Sequence, residues 1–215
     1  MHQPRRSTLA ALLIYIAVVK AMPFLLSHFG LDTTRESTVY LWGLTPVFAL
    51  GIFGVARFRQ LGTAMLLPLL AWFCGDLLIG AAMGYDWVFY PGWFMTYLGF
   101  AALCFSGLLL RKSSAMPQVL ATSLLGSVLF FLVSNFGSWC WDIGEAYPRT
   151  LSGLMTCYIA GIPFYKMHLI STLAFSALLF SPLGENFLLT THAEASDESH
   201  ADDLVRQPVV VTRVG

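Results

Sequence analysis

Apolar side chains come in long blocks along this chain, and the polar residues gather in the short gaps between them. Leu9–Leu26, Leu41–Ala56, Leu61–Met83, Pro91–Leu110, Gln118–Trp139 and Phe164–Ser181 carry almost no charge. A helix rising about 1.5 Å per residue needs about 20 apolar residues to cross the hydrocarbon core of a bilayer. The pattern therefore predicts an all-α integral membrane protein, a bundle of six transmembrane helices. Leu41–Ala56 reaches full length only by extending into Tyr40 and Phe58. Leu151–Pro163 is apolar but too short to span, and it ends in Gly161-Ile162-Pro163. A proline inside a helix removes a hydrogen bond and crowds the preceding turn. This stretch is expected to be an extra half-helix before the last span, broken from it at Pro163.

The same pattern divides the chain into a short N-terminus (1–8), a membrane domain (9–181) and a tail (182–215). Arg5 and Arg6 precede the first span, Arg57 and Arg59 separate the second from the third, and Arg111 and Lys112 separate the fourth from the fifth. The intervening loops hold only Arg35 and Arg149. Basic residues favour the cytoplasmic side, so both termini are expected in the cytoplasm. The tail holds Glu185, Glu194, Asp197, Glu198, Asp202 and Asp203 against Arg206 and Arg213. With no periodic apolar pattern to build a core, it is expected to be disordered.

Composition agrees with this class. The chain is 57% hydrophobic and 11% charged, where soluble domains carry about 25% charged residues. Arg5-Arg6 ahead of an apolar run resembles a secretory signal, but Lys20 interrupts the run and no small-x-small cleavage site follows, so an uncleaved span is expected. Cys74, Cys104, Cys140 and Cys157 are dispersed and form no zinc-type spacing. No basic face for nucleic acid, no phosphate loop, no dinucleotide turn and no hydrolase motif is present. The expectation is a non-enzyme without cofactor or metal, whose partners are the lipid bilayer and a small solute.

Chemistry enters through the few polar groups inside the spans. Asp76 and Lys20 fall at nearly the same depth, each about 10 Å from the outer end of its span. Asn135 and Thr45 lie in the outer third of theirs, and Lys166 and His168 open the last one. The cytoplasmic halves read as nearly pure Leu, Ile, Phe, Val, Ala and Met. Ionisable groups in membranes usually face a bundle interior or a wet cavity, so this lopsidedness points to a pocket open to the outside. Asp76, Asn135, Lys166, Trp139, Tyr147, Arg149 and Thr45 are the candidate solute ligands, with Lys20 and Asp76 as a charge pair. Plainer readings stand beside these: the lysines reach for headgroups, the Lys20–Asp76 pair only braces the bundle, and His168 packs. Tyr85, Trp87, Tyr90, Trp93, Trp139, Trp141 and Tyr147 form an interfacial belt or contribute a stacking wall for a flat ligand. Ala10, Ile14, Ala17 and Ala21 make a stripe on which another helix, in this chain or a partner, can close.

Three stretches carry a resemblance: Leu124–Gly137, Tyr147–Leu154 and Cys157–Phe164. With Thr45-Pro46-Val47-Phe48-Ala49-Leu50-Gly51-Ile52-Phe53-Gly54 and Gly75-Asp76-Leu77, they resemble an uncharacterised family of bacterial integral-membrane proteins assigned to transport. The likeness covers roughly residues 40–182. That family is similar to the substrate-capturing S subunits of energy-coupling-factor transporters. The resemblance implies a six-helix fold in a bacterial inner membrane, a solute held near the outer face, and docking onto a coupling subunit with ATPases. Ala17 and Ala21 are the residues it offers for docking. Trp42-Gly43-Leu44 stands where the family has Pro-Asn-Phe, so an asparagine available to a ligand is missing. An autonomous proton-coupled carrier using Asp76 and His168, and a scaffold or assembly factor that moves nothing, are the alternatives.

Overall fold

Helix α1 spans Arg6–His28, α2 Val47–Arg57, α3 Leu61–Met83, α4 Trp93–Ser106, α5 Met116–Trp141, α6 Leu151–Leu179 and α7 Pro182–Leu188. The computed structural model describes residues 3–30, 44–112, 114–141 and 146–189. Expectations for the loop around Arg35 and for the tail from residue 190 onward lie outside the described residues. Among the described residues, α1, α3, α5, α6 and the 18-residue run Trp93–Leu110 are each long and apolar enough to cross a bilayer. The run continues α4 by a tighter 3₁₀ turn over Gly107–Leu110. This is the architecture of a multi-pass membrane protein, with five long spans where the sequence pattern predicts six.

The sixth element is α2, and its shortness has consequences. Its 11 residues cover about 16 Å, half of a core about 30 Å thick. Every residue from Val47 to Ala56 is buried, so the shortest of these six helices is also the one most fully enclosed by protein. Phe48 explains why. Its ring meets Trp72 of α3 at 5.2 Å, Phe100 of α4 at 5.8 Å, Phe130 of α5 at 4.6 Å and His168 of α6 at 5.2 Å between centroids. Lipid tails are as apolar as leucine, so packing rather than exclusion of water must hold such a bundle together. Four helices converging on one ring supply it.

The anticipated break at Pro163 does not occur. Helix α6 runs unbroken for 29 residues with Pro163 inside it, about 43 Å in length. The reason lies in α5. The Phe131 ring lies tilted against Tyr158 at 5.6 Å and against Tyr165 at 4.7 Å, one ring before the proline and one after. Tyr158 also donates to the Leu132 carbonyl at 3.0 Å. These contacts splint the helix across the lost backbone bond. Its start is fixed by Thr150, whose hydroxyl accepts from the Gly153 amide.

The two ends of the bundle differ. One carries Arg57, Arg59 and Arg111; the other carries Tyr85, Phe89, Tyr90 and Trp93. At the arginine end, α7 is ordered although it falls in the stretch assigned to the tail. Ser181 caps it by accepting from the Gly184 amide, and Arg57 donates to Glu185 at 2.6–2.7 Å and to Ser114 at 2.5 Å. Leu189 pairs with Pro4, and the Arg5 amide donates to the Leu188 carbonyl. Arg111 reaches into the bundle to the Val55 carbonyl at 2.9 Å. The arginine end is thus tied shut by side chains from α2, α7 and the link between α4 and α5.

Candidate functional site

Helix α3 begins at Leu61 and climbs toward the aromatic end. Residues 72 and 76, four apart, therefore share one face. Lys20 on α1 and Tyr97 on α4 meet that face from opposite sides. The Lys20 Nζ lies 2.6 Å from Asp76 Oδ2, and the Tyr97 hydroxyl donates to the same oxygen at 2.5 Å. The ammonium also sits 4.5 Å from the centroid of the Trp72 ring, a cation–π geometry. The side chains of Lys20 and Asp76 keep 23% and 18% of their accessible surface, so the pair is mostly buried but not sealed. Among the described residues Asp76 Oδ1 has no hydrogen-bond partner.

The close approach of α1 depends on Gly75. A Cβ there would stand 3.0 Å from Lys20 Cδ and 3.1 Å from the Ala17 carbonyl. Ala21, fully buried, packs on the same inward side. The small residues Ala17 and Ala21 are thus used to seat α1 within this chain, while Ile14 of the same stripe is 65% exposed.

A second set of polar groups lies across the Trp72–Phe48 contact. Ser171 on α6 accepts from the Thr45 amide at 3.0 Å and donates to the Thr45 carbonyl at 2.8 Å, clasping the chain where it enters α2. Thr45 Oγ1 and His168 Nδ1 are buried without a hydrogen-bond partner among the described residues. Buried polar atoms left unpaired are costly, and these two can accept a solute's or a water's hydrogen bonds.

The remaining candidates lie elsewhere. Asn135 donates from Nδ2 to the Phe131 carbonyl at 2.8 Å, and its Oδ1 packs at Gly161, where a Cβ would collide with it. Cys157 donates to the Asn135 carbonyl at 3.4 Å. Asn135 belongs to the α5–α6 seam. Trp139 donates from Nε1 to the Pro148 carbonyl at 3.0 Å, and Arg149 donates to the Trp139 carbonyl with its guanidinium 5.7 Å from that ring's centroid. These two close the turn between α5 and α6, and Tyr147 is half-buried in the same connection. Lys166 is exposed and forms no ion pair among the described residues, as expected of a lysine reaching for headgroups. The set anticipated around one pocket therefore separates: Lys20, Asp76 and Thr45 stay in the interior, and the others do not join them.

Two members of the interior cluster escaped the sequence reading. Trp72 was findable, lying one helical turn before Asp76. Tyr97 gave a weaker signal, a single hydroxyl within an apolar run. Outward from Tyr97 runs a ladder of rings, Trp93 at 5.5 Å, then Phe89 at 5.5 Å, then Tyr85 at 6.4 Å. The arginine half also differs from the nearly pure apolar half read from the sequence. Ser106, Thr122, Ser123, Ser127, Thr172 and Ser176 are all buried, and the hydroxyls of Ser123, Ser127 and Ser176 have no partner among the described residues. Among the described residues no group of His, Cys, Asp and Glu is arranged to hold a metal ion. All four cysteines are free thiols.

A cavity of about 620 Å³ opens at the arginine end, between the start of α1 and the turn from α2 into α3. It lies at the opposite end of α3 from Asp76. No curated protein and no solved structure matches this chain. Residues 2–190, nearly all of the described fold, match the model of the Family of unknown function (DUF6580), and the chain belongs to that family.

Proposed function

We propose that this protein is the solute-capture subunit of a membrane transporter, taking a small molecule at the aromatic end and relying on a partner for energy. The observation that carries the proposal is the Lys20–Asp76–Tyr97 cluster on Trp72. A carboxylate and an ammonium inside a bilayer are expensive, and here they are grouped, partly open and joined to an aromatic ladder that reaches the membrane boundary. Asp76 Oδ1 is placed to accept from a solute, and Thr45 Oγ1 and His168 Nδ1 offer further bonds deeper in. The arginine end, tied by Arg57–Glu185 and Arg111–Val55, opposes passage. With arginines on the cytoplasmic side, the cluster faces outward. The sequence resemblance, by way of an uncharacterised bacterial family, to energy-coupling-factor S subunits is in keeping with the same reading, since those proteins hold cargo near the outer face and dock on a coupling subunit with ATPases. No nucleotide motif in this chain could supply the energy.

Mass spectrometry of small molecules retained by the protein in lipid nanodiscs is the test. A stoichiometric solute is expected in wild type and in Asn135→Ala, and its loss in Asp76→Asn. Repeated absence of any solute from the wild type overturns the proposal.

One observation favours a second reading, a carrier that works alone by proton coupling. His168 lies within the aromatic cluster, and the unpartnered hydroxyls of Ser123, Ser127 and Ser176 continue polar groups into the arginine half. That reading requires pH-driven uptake by the chain alone in liposomes. The capture reading requires none until a coupling complex is added.

A further inference from the structure

The geometry points to a phosphate-ester site in the 620 Å³ cavity at the arginine end, separate from the Asp76 cluster and independent of the capture role. Its volume falls in the range of small-molecule sites, about 300–1,000 Å³. Arg6 and Arg59 line it, with Gln60 and Thr63 between them and Leu9 and Leu67 among its apolar walls. Among the described residues no carboxylate lines it. The described acids are Asp76, Asp86 and Glu185. Asp76 is paired with Lys20 and Glu185 with Arg57, and Asp86 stands at the aromatic end. Two guanidinium groups therefore share one hollow with no counter-anion among the described residues.

Both helices that border the cavity begin at it, α1 at Arg6 and α3 at Leu61. Neither has an acidic residue in its first turn, and no side chain caps α3. Unpaired amides and helix dipoles thus add to the positive field of the arginines. Guanidinium forks match phosphate oxygens in shape as well as charge. The apolar wall then fits the organic part of the ester. Because the cavity sits where the arginines meet the membrane boundary, two sources share this chemistry: an anionic phospholipid of that leaflet and a free phosphorylated metabolite.

Native mass spectrometry from nanodiscs of phosphatidylglycerol mixed with phosphatidylcholine reads the lipid arm. Thermal shift with glycerol phosphate and with inorganic phosphate, in nanodiscs of phosphatidylcholine alone, reads the soluble arm. Selective retention of phosphatidylglycerol, or stabilisation by glycerol phosphate, is expected in wild type. Arg6→Ala and Arg59→Ala should each weaken it about tenfold. Arg59→Lys, which keeps the charge and the fold but loses the fork, should weaken it less. Lys112→Ala, at the same end but away from the cavity, should change nothing. Equal response of Arg59→Ala and Lys112→Ala would mean diffuse attraction and overturns the site. So does a wild type that responds to neither probe.

Discussion

Neutralising the Lys20–Asp76 pair in two steps separates a structural brace from a binding site. Asp76→Ala leaves the Lys20 ammonium mostly buried and, among the described residues, facing the Trp72 ring and carbonyl. Breaking a buried ion pair by removing one partner costs about 3–5 kcal/mol. The lost Tyr97 hydrogen bond to a charged acceptor adds to it, about 1.5–3 kcal/mol when counted alone. The 23% exposure of Lys20 lets the ammonium recover part of its solvation, so a net loss of about 3 kcal/mol is expected, near the lower bound for such a pair. That is about a hundredfold in the unfolding constant. Lys20→Met combined with Asp76→Leu removes both charges and refills the volume. Replacements of that kind are often neutral or stabilising, so, with Tyr97→Phe as the common background, the double variant should lie within about 1 kcal/mol of its parent. The coupling energy follows from a double-mutant cycle of equilibrium unfolding in mixed micelles. If the double variant is as unstable as Asp76→Ala, the orphaned charge is not the cause of the loss. If it is stable and still retains its solute, the pair is a brace only, and the capture proposal falls while the fold argument stands.

Further outcomes follow from particular contacts. Arg57→Ala should free α7 from the bundle at a cost of about 1.5–3 kcal/mol for the lost charge-assisted bonds, seen as faster amide exchange over 182–188; unchanged exchange refutes the latch. Gly75→Leu should drive α1 off α3, destabilising by about 1–3 kcal/mol or more through overpacking and abolishing solute retention together with stability. Pro163→Ala should leave function intact and be neutral or slightly stabilising, because it restores a backbone donor to an already continuous helix; loss of activity would show that the proline acts as a hinge. Ser171→Ala should cost about 1 kcal/mol by unpinning Thr45, detectable as a lowered midpoint in the same unfolding assay.

How much of this was legible depended on range. The class, the borders of α3 and α5, and the common depth of Lys20 and Asp76 could be read because helical rise converts sequence position directly into depth. The break at Pro163 could not, because what splints α6 is Phe131 on a neighbouring helix, and a local rule about proline has no access to it. Asn135, Trp139 and Arg149 looked like ligands for the same reason: polarity shows at the sequence level, but its partner does not. Each of them spends its bonds on the α5–α6 seam or turn. The serines of the arginine half were overlooked because single hydroxyls barely alter an apolar average, yet burial leaves three of them unpaired.

The shortness of α2 ties these observations together. A full-length helix at the centre of the bundle would fill both halves of the membrane with packed apolar side chains. Here the central helix runs only from Val47 to Arg57, a length that covers about half of a bilayer core. Phe48, in its first turn, is where α3, α4, α5 and α6 converge. The groups on the aromatic side of that level are Lys20, Asp76 and Tyr97, with Thr45 and His168 at its edge. On the other side Arg57, at the last turn of α2, anchors the latch to Glu185. One short helix thus sets the floor of the charged cluster and the anchor of the closed end. A solute-capture role therefore predicts that lengthening or shifting α2 is less tolerated than changing any lipid-facing span. Inserting one helical turn between Val55 and Arg57 should uncouple Arg57 from Glu185 and displace Phe48, and a comparable insertion near the lipid-exposed Ile14 of α1 should be milder. If the two insertions prove equally damaging to solute retention, α2 is an ordinary packing helix and the floor assigned to it lies elsewhere.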